Sequence, residues 1–131
     1  MSTSLTIHDT TLSGERLNSL TFDVLTEHLT VRELIRARVY QEVQDYNQKQ
    51  QSTYHGLVQP TDSERALNGY RLRSPRQIDW NAQFALALEA FQRNGFFVLI
   101  DQHQAEDLDE QVVIQRGTEI SFVKLVPLVG G

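Results

Sequence analysis

The chain contains no cysteine. Disulfides, thiolate metal sites and thiol nucleophiles are therefore excluded together, as is a thioester held on its own side chain. Lysine is scarce: Lys49 and Lys124 are the only internal amines besides the N-terminus that can accept an acyl group. No apolar run approaches the length of a membrane span, and Met1-Ser2-Thr3-Ser4 lacks the basic and apolar regions of a signal peptide. A cytoplasmic protein without a membrane partner is expected. No glycine-rich phosphate loop, Ser-His-Asp arrangement or catalytic carboxylate pair is legible, and His8, His28, His55 and His103 lack ligand spacing. No catalytic residue, metal site or cofactor is assigned, and the chain is not expected to be an enzyme. A net charge of -5 argues against a nucleic-acid partner.

What is present suits one domain. At 131 residues and 40% hydrophobic content the chain can bury a core. Leu5 to Leu12 alternates apolar and polar residues and predicts a strand, and Leu20 to Val24 predicts a second. The turn at Ser13-Gly14-Glu15-Arg16 joins them as a hairpin. Thr30-Val31-Arg32-Glu33 is a capping box flanked by Leu29 and Leu34. Val31, Leu34, Ile35, Val39, Val43 and Tyr46 then keep one apolar face, predicting a helix from Val31 to about Asn47.

Asn47 to Gln59 is polar and reads as a loop. Thr61 and Glu64 have the spacing of a second capping box, predicting a short helix that stops at Gly69. Asp79 caps a further helix with Trp80, Phe84, Ala87, Leu88 and Phe91 on its apolar face, and Gln83, Glu89 and Gln92 facing water. Asn94-Gly95 stops it. Phe96 to Ile100 has the composition of a central strand covered on both faces, Val112 to Ile114 is a shorter candidate, and Thr118 to Val126 is the last strand. Leu34, Ile35, Phe22, Val98, Ile120 and Phe122 are expected to share one core. The fold class expected is α+β, a mixed sheet with a helix packed on one face and a partly helical middle.

Three segments invite a functional reading. Gly130 and Gly131 follow almost directly on an apolar strand. A di-glycine tail has no side chains to block a narrow tunnel, so an ATP-dependent enzyme can thread it and adenylate its carboxylate. Leu125, Pro127, Leu128 and Val129 form an apolar approach suited to docking such an enzyme, and Pro127 disfavours further sheet pairing. The tail is expected to be exposed. Arg65, Arg71, Arg73 and Arg76 have no acidic residue between the first and last of them, and form a candidate basic surface for a partner with an acidic face or an RNA. The plainer reading is a solvated face whose arginine stems cover apolar surface. The acidic run Glu106-Asp107-Leu108-Asp109-Glu110 lacks the glycine and spacing of a calcium loop and reads as a solvated connection.

The carboxy-terminal stretch resembles that of ubiquitin-like β-grasp proteins. The residues that carry the likeness are Phe97-Val98-Leu99-Ile100-Asp101, Gly117-Thr118-Glu119-Ile120-Ser121-Phe122 and Pro127-Leu128-Val129-Gly130-Gly131. They are similar to the small sulfur carriers of molybdopterin and thiamine synthesis. Thr30 to Ile35 also resembles the first-helix opening of many β-grasp domains. The likeness leaves out Gln48 to Asn94, an insertion relative to the short carriers, and the tail after Phe122 is longer than theirs. In these respects the chain looks more like the ubiquitin-like modifiers of bacterial conjugation operons, some linked to phage defence. The resemblance implies one β-grasp domain over 1–131 with an insertion at about 48–94, and a modifier or carrier adenylated at Gly131. Its implied partners are an activating enzyme, a conjugating enzyme and a peptidase that cleaves after Gly-Gly. The alternative is a β-grasp interaction module or complex subunit that is never conjugated.

Overall fold

The computed structural model describes residues 3–24, 26–49, 52–66 and 69–125. The alternation read at the start of the chain builds a hairpin. Strand β1 (Thr3–Thr10) pairs antiparallel with β2 (Arg16–Val24), and Gly14 turns the chain at a φ of 90°. Leu5, Ile7 and Asp9 of β1 face inward, while Thr6 and His8 face outward and bond to Thr21 and Ser19 across the pair.

After a short strand, β3 (His28–Thr30), the capping box starts helix α1 (Val31–Lys49). Thr30 donates its amide to Glu33 Oε1 at 3.1 Å, and the Glu33 amide returns to Thr30 Oγ1 at 3.1 Å. The next orphan amides, of Val31 and Arg32, donate to the carbonyls of Glu110 and Leu108. The acidic run is thus a folded turn, pinned by the buried Leu108 over the start of α1.

Between α1 and the second long helix the reading needs correction. The described residues between Thr61 and Gly69 do not form the expected short helix. Strand β4 (Ser63–Ala66) pairs antiparallel with β5 (Gly69–Leu72), and Asp62 turns the chain at a φ of 54°. A helix of that length has no apolar face to bury and cannot offset its nucleation cost. A ribbon, by contrast, sets Tyr70 and Leu72 against the core. The polar loop read over Asn47 to Gln59 also contains two anchors, since Tyr54 and Leu57 are buried in the core.

Helix α2 (Trp80–Gln92) begins and ends as expected. Asp79 Oδ1 accepts from the Asn81 amide at 3.0 Å, and the Gly95 amide closes on the Ala90 carbonyl at 2.7 Å beyond Asn94 at a φ of 60°. Its buried stripe is Gln83, Ala87 and Phe91, with Trp80, Phe84 and Leu88 half-buried. Gln83 was expected in water. It lies inside because its amide donates to the Val58 carbonyl at 3.2 Å, and so ties α2 to the middle segment.

Strand β6 (Phe96–Ile100) pairs with the two-residue β7 (His103–Gln104) and with β9 (Ile120–Lys124), while β8 (Gln111–Val113) pairs with β3. The main sheet has the order β2-β1-β9-β6-β7, and β9 runs parallel to β1 with Ile7 beside Ile120 and Asp9 beside Phe122. The central strand is therefore β9, not β6. Phe97 and Leu99, on the face of β6 away from the helices, are only half-buried. The architecture is α+β, a mixed sheet with two helices. The expected core sextet of Leu34, Ile35, Phe22, Val98, Ile120 and Phe122 is assembled in one buried cluster.

Phe122 is fully buried, with its ring 5.9 Å from that of Phe96. Phe122→Ala is expected to cost about 3–5 kcal/mol in urea unfolding. An unchanged unfolding free energy would contradict this core.

Candidate functional site

The end of β9 lies a few residues before the di-glycine in the sequence, so the groups that hold it form the candidate site. Gly130, Gly131, Pro127, Leu128, Val129 and the end of the expected last strand at Val126 lie outside the described residues. Leu125 is described and is half-buried. Beside it the structure places a buried ionic cluster that the reading of the sequence missed.

The cluster begins with periodicity. Asp9 takes the inward phase set by Leu5 and Ile7, so β1 points a carboxylate into the core. On α1, Arg38 and Glu42 lie one turn apart in the stripe that carries Ile35 and Val39. Arg38 is fully buried and Glu42 is 5% exposed. The Arg38 guanidinium meets Asp9 with two bonds, Nη1 to Oδ1 and Nη2 to Oδ2, the latter at 2.7 Å. Nη2 also reaches Glu42 Oε2 at 3.5 Å, and the guanidinium carbon lies 4.7 Å from the centre of the Phe122 ring. Burial opposes the Arg38 charge, but Asp9 and Glu42 outweigh it and hold its pKa above the ordinary value.

Lys124, the last residue of β9, completes the cluster. Its ammonium donates to the Gly56 carbonyl at 2.6 Å, lies 3.9 Å from Asp9 Oδ2 and sits 6.0 Å from the Tyr70 ring centre. Burial lowers its pKa, and Arg38 adds to that effect. Lys124 is therefore not the available amine that the sequence implied. Glu42 also accepts the Leu57 amide at 3.0 Å. Burial nevertheless pushes its carboxyl up to about 7, against the pull of Arg38 and Lys124. The Tyr54 hydroxyl is buried beside Glu42 and Gln83 without a hydrogen bond of normal geometry, and burial drives its pKa well up. Gly56 is required here, because a β-carbon at that position would stand 2.1 Å from the Tyr54 ring.

Two cations and two carboxylates thus join β1, α1, β9 and the middle segment. Both Asp9 oxygens are committed to Arg38, and Glu42 is held between Arg38 and the Leu57 amide. The surface cavities of about 740, 430 and 510 Å³ are lined by other residues. The arrangement is suited to holding the end of β9 in place rather than to meeting a substrate. Asp9 was legible as an inward position on an alternating strand, and Arg38 and Glu42 as an i, i+4 pair within an apolar stripe.

The arginines of the candidate basic surface are exposed but do not form one plane. Arg65 lies opposite Tyr70 and Arg71 opposite Glu64, so they occupy opposite faces of the β4–β5 ribbon. Arg73 follows the ribbon, and Arg76 donates to the Thr61 carbonyl. Of the histidines, His8 bonds to Ser19 and His103 to Glu110, and no group of three or more potential metal ligands occurs among the described residues. Among those residues no helix is long and apolar enough to cross a membrane. Comparison of the chain with protein families, with curated proteins and with solved structures finds no match.

The cluster makes a pH prediction. Glu42 holds its proton up to about pH 7 in the folded chain but only to its ordinary 4.5 when solvated. Between those values the folded state binds the extra proton, so this contribution is full below pH 4.5 and is lost as pH rises through about 7. Urea unfolding free energies are expected to fall from pH 5 to 7.5, and Glu42→Gln should flatten that fall. Parallel profiles for the two proteins would contradict the assignment.

Proposed function

We propose that the chain is a β-grasp protein of the ubiquitin-like type, acting in the cytoplasm as a modifier or carrier activated at Gly131. A β-grasp sheet sets its first and last strands side by side and parallel, with the first hairpin outside and a helix across one face. The observation that carries the reading is the order β2-β1-β9-β6-β7, with β9 parallel to β1 and the strand that precedes Gly130-Gly131 in the sequence. Helix α1 after the first hairpin agrees with it. The β4–β5 ribbon and α2 are then the enlarged middle.

In this scheme the protein is the substrate. The Gly131 carboxylate attacks the α-phosphate of ATP and releases pyrophosphate, whether Gly131 ends the chain as made or is exposed by a peptidase that cleaves after Gly-Gly. The acyl adenylate passes to an enzyme thiol with release of AMP, and then to an amine, a hydroxyl or a sulfur acceptor. The ionic cluster fixes the base from which the tail reaches the activating enzyme. Leu125, Pro127, Leu128 and Val129 are the docking approach. The second reading, an unconjugated interaction module, is favoured by one observation: Arg65, Arg71, Arg73 and Arg76 form no ion pair among the described residues.

The test is ATP–pyrophosphate exchange with a neighbouring adenylating enzyme, where one is encoded. Deleting Gly131 displaces the carboxylate by about 3.5 Å, and errors of about 1 Å already impair reaction. Exchange is expected with the intact chain and should be abolished by the deletion, with folding unchanged. Equal exchange by both would contradict activation at Gly131.

A further inference from the structure

We infer that the groove between the end of α1 and the β4–β5 ribbon docks a short carboxylate-rich peptide segment of a protein partner. The groove encloses about 510 Å³. Arg71 and Arg76 stand on its rim, with Tyr46, Leu72 and Pro75 as its apolar lining and no acidic residue among the lining groups. Its base is held rigidly. Asn47 at the end of α1 donates to the Ile78 carbonyl at 3.0 Å and accepts the Ile78 amide at 2.9 Å. This double bond fixes the 75–78 wall against α1, so the groove is present before any partner arrives.

Charge supplies the argument for the occupant. The chain as a whole carries -5, yet Arg71, Arg73 and Arg76 make no ion pair among the described residues. The buried Arg38 and the exposed Arg32 and Arg93 are each within ion-pair distance of a carboxylate. Arg71 faces Glu64 across the ribbon without pairing to it, and its planar fork is left to bind a carboxylate from outside. The apolar lining takes the side chain that such a segment carries between its acids. A nucleic acid fits less well. Asp62 and Glu64 are exposed on the same ribbon, and a long polyphosphate leaving the groove meets them and the negative field of the whole protein. This inference is independent of activation at Gly131.

Fluorescence anisotropy of the full chain with a labelled Glu-Glu-Leu-Glu-Glu peptide tests it. The expected result is saturable binding that weakens with added salt and is lost when the four glutamates are replaced by glutamine. Arg71→Gln combined with Arg76→Gln should weaken binding about tenfold, or about 1.4 kcal/mol, the scale of two partly exposed charge pairs. Arg71→Gln alone should give part of that loss, and it leaves the Arg76 bond to Thr61 intact should the double variant fold poorly. Arg116→Gln, an exposed arginine lining a different cavity, should bind as the parent does. No saturable binding by the parent, or equal binding by parent and Arg71→Gln, would overturn the proposal. So would an oligo(dT) probe that binds more tightly than the peptide and depends on the same arginines.

Discussion

A guanidinium sealed from water needs carboxylate partners, and Arg38 finds them for Nη1 and Nη2 on β1 and on its own helix, while its buried Nε is left without one. Such a pair contributes little net stability compared with apolar residues of the same volume, but removing one partner typically costs about 3–5 kcal/mol. Its larger effect is on register. A one-residue slip of β1 would turn Asp9 to the outer face and leave the buried Arg38 charge with only the Glu42 contact at 3.5 Å. The hairpin, α1 and the central strand are therefore held in one mutual arrangement, because β9 lies directly beside β1 and ends at Lys124, close to the same carboxylate.

The middle of the chain belongs to this arrangement rather than decorating it. Gly56 accepts Lys124, Leu57 donates to Glu42, and the Tyr54 ring fills the space that a side chain at Gly56 would need. The Tyr54 backbone bridges to Tyr70 in both directions, so the β4–β5 ribbon is attached at the same place. Gln83 extends the connection to α2 through Val58. This middle segment thus closes over the ionic cluster. The same segment presents the basic groove on its outer side.

Much of the frame was legible because it obeys simple periods. The first hairpin, both long helices with their caps, and the apolar sextet of the core follow from alternation, helical spacing and two capping residues. The ribbon at 63–72 was not legible. Thr61 and Glu64 have capping-box spacing, and local spacing says nothing about where an apolar face will be buried. Gln83 and the Asp9, Arg38 and Glu42 group failed for a related reason. A polar residue in an apolar stripe reads as an error in the stripe until its partner, distant in sequence, is known. Gly130 and Gly131 carry an expected chemistry in the sequence alone, and they lie outside the described residues.

The claim on which these connections rest is that Lys124, largely buried, is held in the cluster while Lys49 is open to solvent. Acetylation with an N-hydroxysuccinimide ester at pH 8, followed by mass spectrometry, measures both in one sample. A lowered pKa speeds an exposed amine, so slow reaction at Lys124 reports its burial and its bond to Gly56. Lys49 is expected to be modified rapidly, with Lys124 protected until the chain opens. A Lys124 that reacts as fast as Lys49 in the folded protein would contradict an ionic anchor at the end of β9.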